Sequence, residues 1–480
     1  MHAEKLAGLR PERVFAYFEK ICSIPHGSGN TKAISDYLVS FAKDKGLRYI
    51  QDPLNNVILF KKASCGYEDH PPVILQGHMD MVCVKNENCA KDMAVEGLDV
   101  THDGETVYAK GTSLGGDNGI AVAYMLAILE DTSLAHPPLE MIITVDEETG
   151  MDGATGIDLS MLQGRTLVNL DSEDEGVFTV SCAGGARGIL SLPVSRHAVY
   201  GPCVKVTVSG LQGGHSGVEI HKKRANANKV MGELLGRIQQ IMPVCITKLK
   251  GGAKDNAIAC DCQAMFVAMG SHIERINGIV EQLQQEIRDT YDEPTAMISA
   301  DDVDALGGNA LSTQDSAKVI ALLNSVPNGV QVWSQEISGL VQTSLNLGVM
   351  QLDEELSLTF AVRSSVNREK RELLDKLKEL ADFYGAAYRE SGDYPAWEYK
   401  KESRLRDTMV DVYKQMFGGD AQVIAIHAGL ECGILSDKLP GLDCVSIGPA
   451  MQDIHTSRER LNVASTERTW QFLLEILKTL

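Results

Sequence analysis

Four short apolar runs in this chain each lead into side chains able to bind a proton or a metal. VILQG at 73–77 feeds His78 and Asp80, and MIITV at 141–145 feeds Asp146, Glu147 and Glu148. TLVNL at 166–170 feeds Asp171, and CVSIG at 444–448 precedes His455 by a few residues. Between them lie longer helical patterns such as GIAVAYMLAILED at 119–131. Apolar strand-length runs alternating with helices are the mark of an α/β fold. In an open sheet of that kind the ligand crevice lies beyond the carboxyl ends of the strands. These side chains are therefore expected to converge.

The α/β texture stops after Leu170 and resumes near the C-terminus, with a helix around Arg404–Phe417, the runs AQVIAI and LDCVSIG, and a last helix in STERTWQFLLEILKTL. Both ends are expected to build one mixed central sheet flanked by helices. That gives a discontinuous metal-binding domain over 1–187 and 400–480, with an inserted α+β lid over 188–399. Inside the insertion, alternating strands (CVKVTVSG, LSLTFAVR) mix with amphipathic helices at 224–242, 272–287 and 370–385. A strand pair followed by a helix occurs twice, around 246–287 and 341–381, which points to two similar halves. The first twenty residues read as an amphipathic helix ending before Ile21.

At 480 residues with 44% apolar and 23% charged residues, the chain has the makeup of a globular protein able to bury a large core. Its formal net charge of −20 repels phosphate backbones and anionic headgroups, which argues against nucleic acid and membrane surfaces as partners. No stretch resembles an export signal, and no run approaches the roughly 20 apolar residues that span a bilayer. The eleven cysteines include no C-x-x-C pair. Cys260 and Cys262, spaced to share one face of a strand, read as buried thiols. These features together point to a reducing cytoplasm.

The chemistry-bearing residues have specific readings and plain ones. In His78-Met79-Asp80 the carboxylate is placed to hold the imidazole for metal binding, though an HxD pair also occurs on ordinary surfaces. Asp117, in GGDNG ahead of an apolar helix, is a candidate bridge between two ions; a helix N-cap is the alternative. Glu147 and Glu148 point in different directions, so one can ligate while the other acts as a base; a solvated turn is the alternative. His215, in a glycine-rich loop, is either a turn residue or a donor to an oxyanion. GTSLG at 111–115 also satisfies the G-x-S-x-G pattern, making Ser113 the candidate nucleophile of a serine hydrolase. But Gly116 and Asp117 separate it from its helix.

GHMD at 77–80, GGDNG at 115–119, DEETG at 146–150, NLDSE at 169–173, GGHSG at 213–217 and IHT at 454–456 resemble, in order and over nearly the whole chain, the motifs of the M20 metallopeptidase family. HAGLECG at 427–433 resembles its aminoacyl-histidine, or cytosolic non-specific, dipeptidase branch. The resemblance implies a zinc-peptidase-type catalytic domain holding two divalent ions, with zinc favoured and cobalt or manganese compatible with the nitrogen and oxygen donors. It places His78 and Asp171 on one ion, Glu148 and His455 on the other, and Asp117 between them. Asp80 orients His78, and Glu147 is the general base. His215 reaches the scissile carbonyl, while Asn346 and Arg363 hold the substrate carboxylate. The family often carries Asp two residues before that arginine; here the position is Ala361. Glu431 is assigned to the free amino group of a dipeptide. The implied activity is hydrolysis of Xaa-His and other unblocked dipeptides, β-alanyl-histidine included, by a homodimer paired through the lid. An N-acyl amino acid deacylase is the sibling alternative, and a catalytically silent metal-dependent binding protein is the non-enzyme one.

Overall fold

The computed structural model describes residues 5–268 and 273–480, which form two compact units. One gathers the chain up to Ser181 with Tyr399–Ala425 and Leu430–Leu480; the other holds Cys182–Glu398 and Ile426–Gly429. The return of Ile426–Gly429 to the second unit is announced by no change in composition.

The first unit is built on an eight-stranded mixed sheet. Its order is Arg48–Gln51, Val57–Lys61, Leu139–Thr144, Val73–His78, Thr166–Asn169, Asp443–Ser446, Val177–Cys182 and Gln422–Ile426. The middle four strands are parallel neighbours, and they are the four apolar runs that end at His78, Glu147 and Glu148, Asp171 and, further on, His455. Two of them, Leu139–Thr144 and Val73–His78, are buried at every position, as expected of strands covered on both faces. Helix Gly116–Glu130 is apolar all round and almost wholly buried, so it shows no amphipathic period.

The first helix runs over Glu12–Cys22 rather than ending before Ile21. Pro11, with its fixed φ, starts it. Ile21 and Cys22 carry it to its end because both are buried with Val14, Phe15 and Phe18, each large apolar side chain contributing about 1.5–3 kcal/mol. Residues 1–4 lie outside the described residues.

A second, four-stranded sheet joins Met451–Gln452, Arg460–Asn462, Thr106–Ala109 and Val100–His102. It ties the C-terminal segment to the chain just before Asp117.

The second unit carries a nine-stranded sheet with a repeated plan. Strand Arg196–Ser209, helix Ala227–Ile241, strands Val244–Gly251 and Cys262–Ala268, helix Ile273–Thr290 and strand Met297–Leu311 make a β-α-β-β-α-β half, with strands in the order fourth, first, third, second. The same plan recurs in Gly184–Pro193, Thr313–Ser325, Val341–Leu352, Glu355–Ser364, Asn367–Tyr384 and Ala387–Tyr394, in mirrored order, with the second strands of the two halves adjacent. The first half is inserted after the opening strand of the other. His272, expected to open a helix, lies outside the described residues. Cys262 is buried at the start of its strand, whereas Cys260 is only partly buried and precedes it.

Candidate metal centre and substrate pocket

In the first unit five candidate ligands meet. His78 Nε2 lies 3.2 Å from Asp117 Oδ1 and 3.4 Å from Asp171 Oδ1. His455 Nε2 lies 3.2 Å from Asp117 Oδ2 and 2.8 Å from Glu148 Oε1. Each imidazole thus has a carboxylate of its own, and Asp117 turns one oxygen to each. Donor atoms of His78, Asp117 and Glu148 all fall within 4.8 Å of one another. This nitrogen and oxygen set without thiolate fits two hard or borderline divalent cations. His455 and Asp146 both adopt left-handed φ, 58° and 56°, uncommon conformations that cluster at functional sites.

The electrostatics fit cation binding. Against the push of burial, the His455 and His78 imidazoles hold Asp117 below the usual carboxylate range. Hydrogen bonds to Asp117 and Glu148 push His455 up to about 10. Burial pushes Glu147 well above the carboxylate range, opposed by His78 and reinforced by Asp171, Glu431 and Glu148. The rise at His455, caused by Asp117 and Glu148, shows carboxylates placed to favour positive charge between them.

Asp80 has a wider role than orienting one ring. Fully buried, it takes the His78 Nδ1 hydrogen bond on its backbone oxygen at 3.0 Å, with Oδ1 3.4 Å from the same nitrogen, and Oδ1 accepts from the Glu147 N–H at 3.2 Å. Its Oδ2 accepts from Ser28 Oγ at 2.8 Å and from the Glu148 N–H at 3.4 Å. One residue thereby ties the imidazole to the turn that presents both glutamates.

Asp117 does not cap the helix with its side chain: its backbone is extended where the helix breaks (φ −81°, ψ 104°), and its two oxygens face His78 and His455. Ser113 is fully buried, and its Oγ donates to Val82 O at 2.6 Å. A hydroxyl committed to a backbone carbonyl does not have the arrangement of an activated nucleophile. Glu431 is also fully buried; its Oε2 accepts from Gln76 Nε2 at 2.6 Å and Thr144 Oγ1 at 2.7 Å, while Oε1 has no hydrogen-bond partner among the described residues. Burial pushes its pKa up to about 7.

In the second unit His215 is held in one tautomer. The Gly217 and Val218 N–H groups both donate to its Nδ1 at 3.2 Å, which leaves the ring hydrogen on Nε2. Burial, assisted by Arg363, lowers its pKa, favouring the neutral ring. Arg363 Nη1 donates to Tyr394 Oη at 3.0 Å, and its Nε is buried without a hydrogen-bond partner among the described residues. His427, which sequence reasoning did not single out, bonds Ser344 Oγ at 2.7 Å through Nε2. Burial and Arg363 push its pKa down to about 3.

Asn346 is differently placed. Its Nδ2 donates to Asp255 O at 3.0 Å and Ala257 O at 2.8 Å, and its Oδ1 accepts from Asn226 at 3.0 Å. Both amide hydrogens are engaged by the loop that pairs with His215 through Ala257. Glu293, likewise unannounced, is fully buried and accepts the Gln212 and Ala225 N–H groups at 2.9 and 3.2 Å, closing the two ends of the His215 loop.

The sequence pattern of peptidase family M20/M25/M40 matches residues 74–479. The chain is 35% identical over 479 residues to the cytosol non-specific dipeptidase of Escherichia coli K12, covering 99% of both chains. The crystal structure of an aminoacylhistidine dipeptidase from Vibrio alginolyticus matches with TM-score 0.93 and 34% identity, covering 100% of this chain and 98% of that one. An aminopeptidase PepT from Bacillus cereus shares the fold at TM-score 0.56 and 15% identity, covering 98% of each chain.

Proposed function

This chain belongs to the M20/M25/M40 peptidase family, and we propose that it hydrolyses unblocked dipeptides, Xaa-His and β-alanyl-histidine among them, at a two-cation centre. The observation that carries the reading is Asp117, whose two oxygens face two imidazoles that each have a further carboxylate. The names of the dipeptidases of E. coli and V. alginolyticus support the substrate class.

His78, Asp171 and Asp117 would hold one cation and Asp117, Glu148 and His455 the other; zinc is our assignment for both. Bound there, the cations supply Lewis acidity that polarises a carbonyl and brings the pKa of water toward neutrality. Glu147 takes the proton from the attacking water and returns it to the leaving amine. Asp80 keeps His78 and the 147–148 backbone in place. The single tautomer of His215 supports its use of Nε2–H as donor to the oxyanion. Arg363, with an unpartnered Nε, takes the substrate carboxylate. Asn346 is assigned to bracing the His215 loop, because its amide is already engaged. The open Oε1 of Glu431 supports its pairing with a free ammonium; an N-acyl amino acid deacylase has no use for that oxygen. We place the enzyme in the cytoplasm, as a homodimer paired through the second unit, which serves as the lid.

The test is a panel of β-alanyl-histidine, Leu-Gly and N-acetyl-histidine, assayed with and without a chelator and with Glu147→Gln. The expected result is chelator-sensitive cleavage of the two free dipeptides, and loss of turnover by about 10²- to 10⁴-fold in Glu147→Gln at unchanged metal content. Preference for N-acetyl-histidine would overturn the substrate assignment. Near-normal turnover in Glu147→Gln would overturn the base.

A further inference from the structure

The loop that presents Asp117 is held by a carboxylate from the far end of the sequence. Glu459, only 3% exposed, accepts the N–H groups of Leu114 and Gly115 on Oε2 at 2.7 and 3.0 Å, and those of Gly116 and Asp117 on Oε1 at 2.8 and 3.3 Å. Four successive backbone donors converging on one carboxylate make an anion-binding nest ahead of the regular helix, which starts only after the extended Asp117 (φ −81°, ψ 104°) and Asn118 (φ −122°, ψ 29°). Here the protein's own side chain fills it. The first two glycines of GGDNG suit this backbone path. Gly115 has φ +67°, and a Cβ on Gly116 would sit 3.2 Å from Glu459 Oε1.

Glu459 also lies four residues after His455. It leads directly into strand Arg460–Asn462, whose Leu461 and Asn462 pair with Val107 and Thr106. One short segment therefore delivers an imidazole to Asp117 Oδ2 and a carboxylate to the backbone of Asp117.

We propose that Glu459 is a positioning residue that sets the metal centre, holding the Leu114–Asp117 backbone so that the two Asp117 oxygens stand in register with His78 and His455. The proposal rests on the two-cation reading given above. Glutamine at this position offers one acceptor oxygen and turns an amide donor toward two of the four N–H groups. The loop then shifts, and with it the Asp117 carboxylate. Partners that orient metal ligands are typically worth about 10- to 100-fold in metal affinity.

The experiment uses the full chain and Co(II) as probe, reading affinity by chelator competition and site geometry by the visible absorption of the bound ion. Wild type, Glu459→Gln, Glu459→Asp, Asp117→Asn and Glu140→Gln are compared, with thermal unfolding of each cobalt-free protein alongside. Glu140 is the matched control, a buried carboxylate that accepts the Gln163 and Gly164 N–H groups at 3.0 and 2.9 Å at the other end of its strand. Expected are two Co(II) per wild-type chain and an affinity lower by about 10- to 100-fold with an altered spectrum in Glu459→Gln. Glu459→Asp, which keeps the charge, recovers part of the loss. Glu140→Gln unfolds at lower temperature but binds cobalt as wild type does. Wild-type affinity and spectrum in Glu459→Gln would overturn the proposal, as would an equal affinity loss in Glu140→Gln. If Glu459→Gln is recovered unfolded, Glu459→Asp decides by the same readouts. If wild type does not take two ions, or Asp117→Asn binds them as well as wild type, the two-cation reading itself fails.

Discussion

Gly217→Ala should disable His215 without touching it chemically. A Cβ at this position would stand 2.6 Å from His427 O and 2.9 and 3.1 Å from His215 Cε1 and Nδ1. Ordinary contact begins near 3.4 Å, so backbone and ring must part by most of an ångström. The Gly217 N–H to Nδ1 bond of 3.2 Å, which helps fix the tautomer, is disturbed by the same movement. Overpacking of this kind costs about 1–3 kcal/mol of stability. For the oxyanion donor proposed above the functional cost is larger, because a donor displaced by about 1 Å loses about 10²-fold in rate, and removal of an oxyanion donor costs about 10²- to 10³-fold. We expect kcat on Leu-Gly to fall about 100-fold in Gly217→Ala with KM little changed. The deciding measurement is the double mutant. If Gly217 acts through His215, His215→Ala/Gly217→Ala is no slower than His215→Ala alone, because neighbours in one interaction are not additive. Multiplying losses, or wild-type kcat in a folded Gly217→Ala protein, would refute the reasoning.

Two other outcomes follow from the structure. Asp80→Asn replaces a charged acceptor of three hydrogen bonds that also stands beside the His78 ring, and chelator competition should show metal affinity lower by about 10- to 100-fold; wild-type affinity in a folded variant would count against the assignment. Lys229, whose Nζ donates to Leu323 O and Val326 O, has its pKa pushed down to about 8 by burial. Between pH 8 and the ordinary lysine value the unfolded chain keeps a proton that the folded chain has released, so stability rises with pH, by at most about 1.4 kcal/mol per unit. Denaturation of wild type against Lys229→Met from pH 7.5 to 10 should show this gain only in wild type.

The sequence made the candidate metal centre readable because its residues follow strands. His78 and Asp171 come at or just after parallel strand ends, and the apolar runs that announce those strands announce the candidate ligands too. What escaped was everything held through backbone atoms or by residues far away in the chain. Glu459 grips N–H groups that no side-chain pattern reveals, across 342 residues to Asp117. Glu293 does the same for the His215 loop. Asn346 was legible as a lid polar residue, but whether its amide is free or engaged depends on Asp255, Ala257 and Asn226, which only the fold brings to it. The last two residues of the first helix were lost for a similar reason: burial against the rest of the unit, not local periodicity, decides where it ends.

The seam between Asp443–Ser446 and Thr166–Asn169 also sets when the centre comes into being. During synthesis the strand bearing Asp171 emerges long before the neighbour that completes the sheet, and His455 meets Asp117 across 338 residues of chain. Long-range pairing of this kind forms late in folding. The proposed centre therefore cannot assemble before the segment bearing His455 has been made, and the earlier-made residues around His78 and Asp171 depend on that segment for their second imidazole.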